Sequence, residues 1–321
     1  MGKVNTVLGP IDAKDMGRTL CHEHFIWTYT PATLFDRQDK EALVQKCLPA
    51  ALKAKSQGIQ TVVDASPIDA GQSPEILAEV SKRSGINIIC ATGYIYSAVG
   101  ATSWWNFKRM CGTADQECYD TIMKDITVGI RDTGIKAGMI KMGTDLNEIT
   151  VHDEMVAKAA AKASKATGTV ICCHTEQGTM GPEIADLLIS EGADPKKIVL
   201  YHSCGSTDTK YLRLCAERGV YLAFDRFGLQ GWLGGSLDID RYPTLVGMMR
   251  AGYLDQLLIS NDSIACWLGD DPAWPKEMGD ALADYQIGHL MDTSVPILKK
   301  MGVTDAEIDH MMIENVQKLY G

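Results

Sequence analysis

Eight short apolar runs punctuate the sequence, and no other feature restricts the fold as tightly. They read GRTLCHEH, IQTVVDAS, INIICATG, AGMIKMGT, TVICCHTE, IVLYHSCG, VYLAFDRF and LLISNDS. Each is nearly continuous in apolarity and most are rich in β-branched residues, as strands buried on both faces of a parallel sheet must be. Longer amphipathic segments separate them, with helix punctuation at their ends. Ser73 and Pro74 open one that closes at Gly85. Thr150 and Asp153 stand at capping-box spacing in another, which closes at Gly168, and two more close at Gly58 and Gly219. Eight strand–helix units in 321 residues predict an α/β fold, a (β/α)8 TIM barrel forming a single domain over residues 1–321. A doubly wound open sheet is the rival, but no G-x-G-x-x-G follows the first run. The last helical stretch, TDAEIDHMMIENVQKLYG, is expected to pack outside the barrel.

Bulk properties narrow the function. A net charge of −10 without a Lys/Arg cluster argues against a nucleic-acid partner. No apolar run approaches the length needed to span a bilayer, and the first residues lack the apolar core of a secretory signal. A cytoplasmic enzyme with no membrane partner is expected. The ten cysteines then read as reduced thiols, with Cys172 and Cys173 as small core residues.

The chemistry sits where the runs end. The first ends in His22-x-His24, the fourth in Lys141, the fifth in His174, the sixth in His202 and the eighth in Asp262. Residues i and i+2 of a strand share a face, so His22 and His24 project together and Glu23 points away from them. Barrel active sites are built at the carboxyl ends of the strands. Four histidines and an aspartate at that rim make a ligand set for a first-row metal. His152, His289 and His310 lie in helix-like or loop segments and read as structural. Lys141 leaves two readings open. A neutral amine there reacts with CO₂ to a carbamate whose two oxygens bridge two cations; alternatively, the lysine pairs with a carboxylate such as Asp225. Glu23 is expected to be a structural contact behind the site rather than a base.

With these residues placed, the chain resembles the phosphotriesterase family of the amidohydrolase superfamily over nearly its whole length. The likeness rests on GRTLCHEH, GMIKMGTD, CCHTE, HSCGSTDTKYLRLCAERGVYLAFDRFG and ISND, with the His-x-His, Lys, His, His, Asp order. FDRFG and ATGYIY are similar to the phosphotriesterase-like lactonase branch. The resemblance implies two divalent metal ions, zinc first, with Mn, Co or Fe accepted by the same donors. His22, His24 and Asp262 would hold one ion and His174 and His202 the other, with carboxylated Lys141 and a hydroxide bridging them. That hydroxide would attack a small-molecule lactone or related carboxylic ester; a phosphotriester, amide or carbamate is the alternative. Asp262 would accept the proton. Asp225 would receive it next, orient a histidine, or pair with Arg226 or a lysine. Arg226 and Tyr96 would line the substrate pocket, with Tyr94 in place of Tyr96 if the turn is one residue shorter. Trp104, Trp105, Phe227, Trp232 and Trp267 are expected to form its apolar wall. Members are commonly dimers, so a homodimer is implied.

Overall fold

The protein is described here by a computed structural model covering residues 2–29, 39–231, 235–268 and 274–321. A hairpin of β1 (Lys3–Thr6) and β2 (Gly9–Asp12) precedes the barrel. Seven parallel strands follow: β3 (Thr19–Trp27), β4 (Thr61–Asp64), β5 (Asn87–Gly93), β6 (Met139–Thr144), β7 (Val170–Thr175), β8 (Ile198–Tyr201) and β9 (Tyr221–Phe224). Each pairs with its predecessor in the order of the sequence. Helices α1 (Lys40–Ser56), α2 (Pro74–Ser84), α3 (Thr102–Met110), α4 (Ala114–Thr127), α5 (Val151–Thr167), α6 (Gly181–Ser190), α7 (Thr209–Ala216) and α8 (Asp238–Met248) lie between or after them.

The eighth stave is broken. β10 (Leu257–Ile259) pairs with β9, while β11 (Ile264–Trp267) pairs with the far end of β3. Across the break the backbone still bonds to β3. The Asp262 N–H donates to the His22 carbonyl at 3.0 Å, and the His24 N–H donates to the Ser263 carbonyl at 2.8 Å. The barrel predicted from the eight runs therefore forms, but its last strand is interrupted where Asp262 takes a left-handed conformation, φ +59°. β3 is irregular as well. Between the Leu20–Val62 and Glu23–Asp64 pairs, two residues of β3, Cys21 and His22, stand opposite one of β4, Val63. This bulge turns the strand one extra residue at the point where His22 enters the mouth.

The helix caps follow their sequence signals in part. Thr150 and Asp153 form the reciprocal capping box of α5, and Gly85 and Gly168 are left-handed caps. Ser73 does not cap α2; its hydroxyl donates to the Gly71 carbonyl instead. All ten cysteines are unpaired. Among the described residues, no helix is long and apolar enough to cross a membrane.

The barrel lumen is packed with residues such as Cys21, Val63, Ile89, Met139, Val170 and Val199. The closing helices α9 (Lys276–Ala281), α10 (Val295–Lys300), α11 (Asp305–Asp309) and α12 (Asn315–Tyr320) correct one expectation. The final stretch does not lie wholly outside the barrel. Val316, Leu319 and Tyr320 join the lumen cluster together with Val4, Ala13 and Met16. They plug the end where strands such as β6 and β7 begin, so apolar area is buried there and the opposite end is left for chemistry.

Candidate active site

Six side chains from five staves meet at the open end. His22 and His24 lie on β3, Lys141 on β6 and His174 on β7, while His202 follows β8 and Asp262 breaks the eighth stave. All six are buried. The i, i+2 argument holds, since the Nε2 atoms of His22 and His24 approach to 3.2 Å. Asp262 Oδ1 stands 3.1 Å from the first and 3.2 Å from the second. Lys141 Nζ is 3.0 Å from His22 Nε2. His174 Nδ1 and His202 Nε2 face each other at 2.9 Å. His202 and Asp262 both hold left-handed backbone, φ +62° and +59°. Such strained conformations persist where surrounding contacts enforce them. For His202 that contact is its N–H, which donates to Asp225 Oδ1 at 2.9 Å.

The outer contacts decide where the ring protons are. His22 Nδ1 is 2.8 Å from Asp225 Oδ2, and His202 Nδ1 is 3.2 Å from Asp225 Oδ1. His174 Nε2 is 2.7 Å from Glu176 Oε2. His24 Nδ1 is 2.9 Å from Ser66 Oγ, whose own hydrogen goes to the Ile26 carbonyl at 2.7 Å. Each outer atom is thus an acceptor, and each ring donates to it. That leaves a lone pair on the inward nitrogen of all four rings. Burial reinforces the neutral form, holding His22 and His202 well below the usual imidazole range and His174 at about 4.

Two lone pairs facing at about 3 Å with no proton between them repel unless a cation lies between. Neighbouring ligands on a tetrahedral ion with bonds of 2.0–2.1 Å stand about 3.3 Å apart. The donor set therefore fits divalent metal, and a carboxylate–histidine–metal arrangement is the usual outer shell of such sites. Asp262 completes the set as an anion. Burial alone would raise its pKa, but the Arg226 guanidinium beside it holds it well below the usual carboxylate range.

Lys141 makes no ion pair with Asp225 or any other carboxylate among the described residues; its polar contact is His22. Burial lowers the pKa of its amine. Gly93 lies beside it in register, and a Cβ there would stand 2.0 Å from the Lys141 carbonyl oxygen, so the close approach of β5 to β6 requires glycine. Asp225 is fully buried behind His22 and His202, outside the cavity. Its position is that of an orienting carboxylate.

A cavity of about 580 Å³ opens above this cluster. Arg226 enters it and donates from Nε to Asp262 Oδ2 at 3.0 Å. Tyr96 lines it, stacked on His174 with centroids 4.5 Å apart. Trp267 lines it too, in a chain of rings with Tyr29 and Trp274. Tyr94 does not reach it. Its ring packs edge-on against Trp105, 4.9 Å away, in the layer between sheet and helices, because the backbone turns at Gly93 and sends the next residue outward. Of the two tyrosines, Tyr96 therefore lines the pocket and Tyr94 belongs to the core. Trp105 and Phe227 are likewise core residues, Phe227 stacking on Tyr242, and Trp104 is exposed on α3. Trp232 lies outside the described residues.

Sequence spacing missed Ser66, Glu176, Trp27, Tyr29 and Tyr285. The Tyr285 hydroxyl donates to the Asp262 carbonyl. Glu176 carried a signal, standing two residues after His174 in HTE; the others carried none. Glu23 is where alternation put it. Ser260 Oγ, Asn261 N and Asn261 Nδ2 donate to its Oε1, and Ser263 N and Oγ donate to its Oε2. The remaining histidines are structural. His152 bonds the Ile95 carbonyl, His289 pairs with Asp238, and His310 with Asp255.

Residues 2–320 match the phosphotriesterase family. A Mycobacterium tuberculosis phosphotriesterase homology protein is 33% identical, covering 100% of this chain and 98% of its own length. An aryldialkylphosphatase of Saccharolobus solfataricus is 30% identical, covering 97% and 96%. A multiply substituted PTE-like lactonase of Deinococcus radiodurans has a solved structure that superposes with a TM-score of 0.95 at 39% identity, covering 99% of this chain and 100% of that one.

Proposed function

The chain belongs to the phosphotriesterase family and is a metal-dependent hydrolase, and from that premise we propose that it opens lactones or related carboxylic esters at a two-metal centre. The observation that carries this reading is the set of four inward lone pairs, each fixed by an outward proton acceptor. His22, His24 and Asp262 would hold one ion; His174 and His202 would hold the other. Zinc suits the donors best, and Mn, Co or Fe can replace it. Lys141 would serve both ions as a carbamate. Its buried neutral amine adds to CO₂, forming an N–C bond and releasing one proton, which gives an anion with two donor oxygens.

When bound, two divalent ions supply hydroxide near neutral pH and polarise the substrate's carbonyl. The protein's own groups do the rest. Asp262 stays ionised and is placed to accept the proton of the attacking oxygen and pass it to the alkoxide that leaves as the ring C–O bond breaks. Arg226 holds a substrate oxygen, with its guanidinium fixed by Asp262. Tyr96 and Trp267 cover the reacting carbonyl and exclude water. Asp225, Glu176 and Ser66 keep the four imidazoles in the ligating tautomer.

A phosphotriester is the second reading, favoured by the name of the Saccharolobus relative. The two chemistries share an oxyanion on carbon or phosphorus at the same centre. Purified protein reconstituted with zinc is assayed on a lactone panel and an aryl phosphotriester. The proposal expects kcat/KM at least about a hundredfold higher on the best lactone, or about 2.7 kcal/mol in transition-state binding. A higher value on the phosphotriester overturns it.

A further inference from the structure

Behind the cavity lies a second polar layer that the mechanism does not use. Its centre is Arg241 on α8, a wholly buried cation. One guanidinium nitrogen, Nη1, donates to the carbonyls of Arg226 and Leu229, and to Asp238 Oδ1 at 2.7 Å. Asp238 Oδ2 in turn accepts the Gly228 N–H at 2.9 Å and the Gln230 side-chain amide at 3.0 Å. His289 Nε2 reaches the same oxygen at 3.1 Å. The loop between β9 and α8 is thus tied at Arg226, Gly228, Leu229 and Gln230 by one ion pair. Gly228 has φ +94°, and a Cβ there would stand 2.5 Å from the Asp284 carbonyl and 3.0 Å from the His289 ring. The loop is therefore pressed against the segment that also carries Tyr285, with no room to shift outward.

Burying a guanidinium is costly unless its hydrogen bonds are made, so an arginine retained here implies geometry that depends on it. The loop delivers two cavity-lining residues, Arg226 and Leu229. Arg241 grips the backbone carbonyl of both. We propose that Arg241 is the positioning residue for Arg226, setting the height of the substrate-binding guanidinium over Asp262 through the loop backbone. This rests on the assignment of Arg226 as a substrate-binding group. Arg241 does not line the cavity. Through that one nitrogen it holds two carbonyls and a carboxylate at once.

A double-mutant cycle on the zinc-loaded enzyme tests this, with KM, kcat and metal content read for each variant. Arg226→Ala is expected to raise KM for the best lactone about tenfold. Arg241→Met is expected to raise it in the same direction, by about five- to tenfold, with kcat within about twofold and metal content unchanged. The double variant should then match the worse single variant, because the second change removes an effect already lost. Multiplying effects, or a lowered Tm with KM unchanged, overturn the positioning role. Should Arg241→Met not fold, Asp238→Asn, which weakens the hold on the Gly228 amide, is read by the same rule. If Arg226→Ala alone leaves KM unchanged, the substrate-binding assignment of Arg226 fails and the positioning role falls with it. That outcome is visible before the double variant is made.

Discussion

The two faces of β3 place polar groups one residue apart under opposite conditions. On the outward face, Glu23 accepts hydrogen bonds from five donors on Ser260, Asn261 and Ser263. On the inward face, His22 and His24 turn lone pairs toward each other, toward Asp262 and toward Lys141. Both faces are buried, so exposure does not separate them. What separates them is whether the protein itself supplies the complementary protons. The outward carboxylate is a fastening between the first and last staves. The inward nitrogens are matched to a cation that the protein has to bind. A buried polar group satisfied within the chain is structural, and one left in a set of converging lone pairs is prepared for a ligand.

Substitutions can break this contrast, and the largest effect is expected on the inward face. His24→Ala, or exhaustive chelation of the wild type, removes several kcal/mol of charge stabilisation and should cut lactone kcat/KM by roughly a thousandfold or more. Elemental analysis should show the loss of metal alongside it. Lys141→Met keeps the volume but cannot form the proposed carbamate, and about a hundredfold loss of activity with less than two metals per chain is expected. Full activity in this variant would favour a lysine that serves only packing.

Ser66→Ala probes the tautomer argument more gently. The His24 ring loses its outer acceptor, so metal affinity should fall about 10- to 100-fold while activity at saturating metal stays near wild type. Competition with a chromophoric chelator measures this. On the outward face, Glu23→Gln presents an NH₂ where the protein presents donors. It should cost about 1–3 kcal/mol of stability with both metals retained. Loss of metal at unchanged Tm would reverse the roles assigned to the two faces. The smallest effect concerns the tyrosines. Tyr96→Phe should shift lactone KM by a few fold, about 0.5–1.5 kcal/mol, and Tyr94→Phe should leave it within error.

The cluster of candidate ligands at the rim was legible because a parallel barrel enforces two simple rules. Strands end at one rim, so His22, His174, His202 and Asp262 could be gathered from the ends of apolar runs. Alternation then separated Glu23 from its neighbours. Other features depended on contacts between distant segments. Ser66 matters because of which ring nitrogen it reaches, and no spacing rule encodes that, whereas Glu176 at least stands two residues after the ring it contacts. The break of the eighth stave follows from the left-handed Asp262, which reads in sequence as an ordinary polar strand end. The choice between Tyr94 and Tyr96 turned on Gly93, whose positive φ redirects the chain by one residue. The final helix was placed outside the barrel because its apolar residues are spaced for a helix face, and spacing does not say which end of a barrel that face will plug.

One crystallographic measurement reaches the central claim most directly. Anomalous scattering data are collected at the edge of the bound metal, from protein grown in zinc-supplemented medium and purified without chelator. A two-metal centre bridged by a carbamate predicts two peaks per chain, one against His22, His24 and Asp262 and one against His174 and His202. It also predicts density extending beyond Lys141 Nζ. Absence of both peaks, or two metals beside an unmodified lysine, would contradict it.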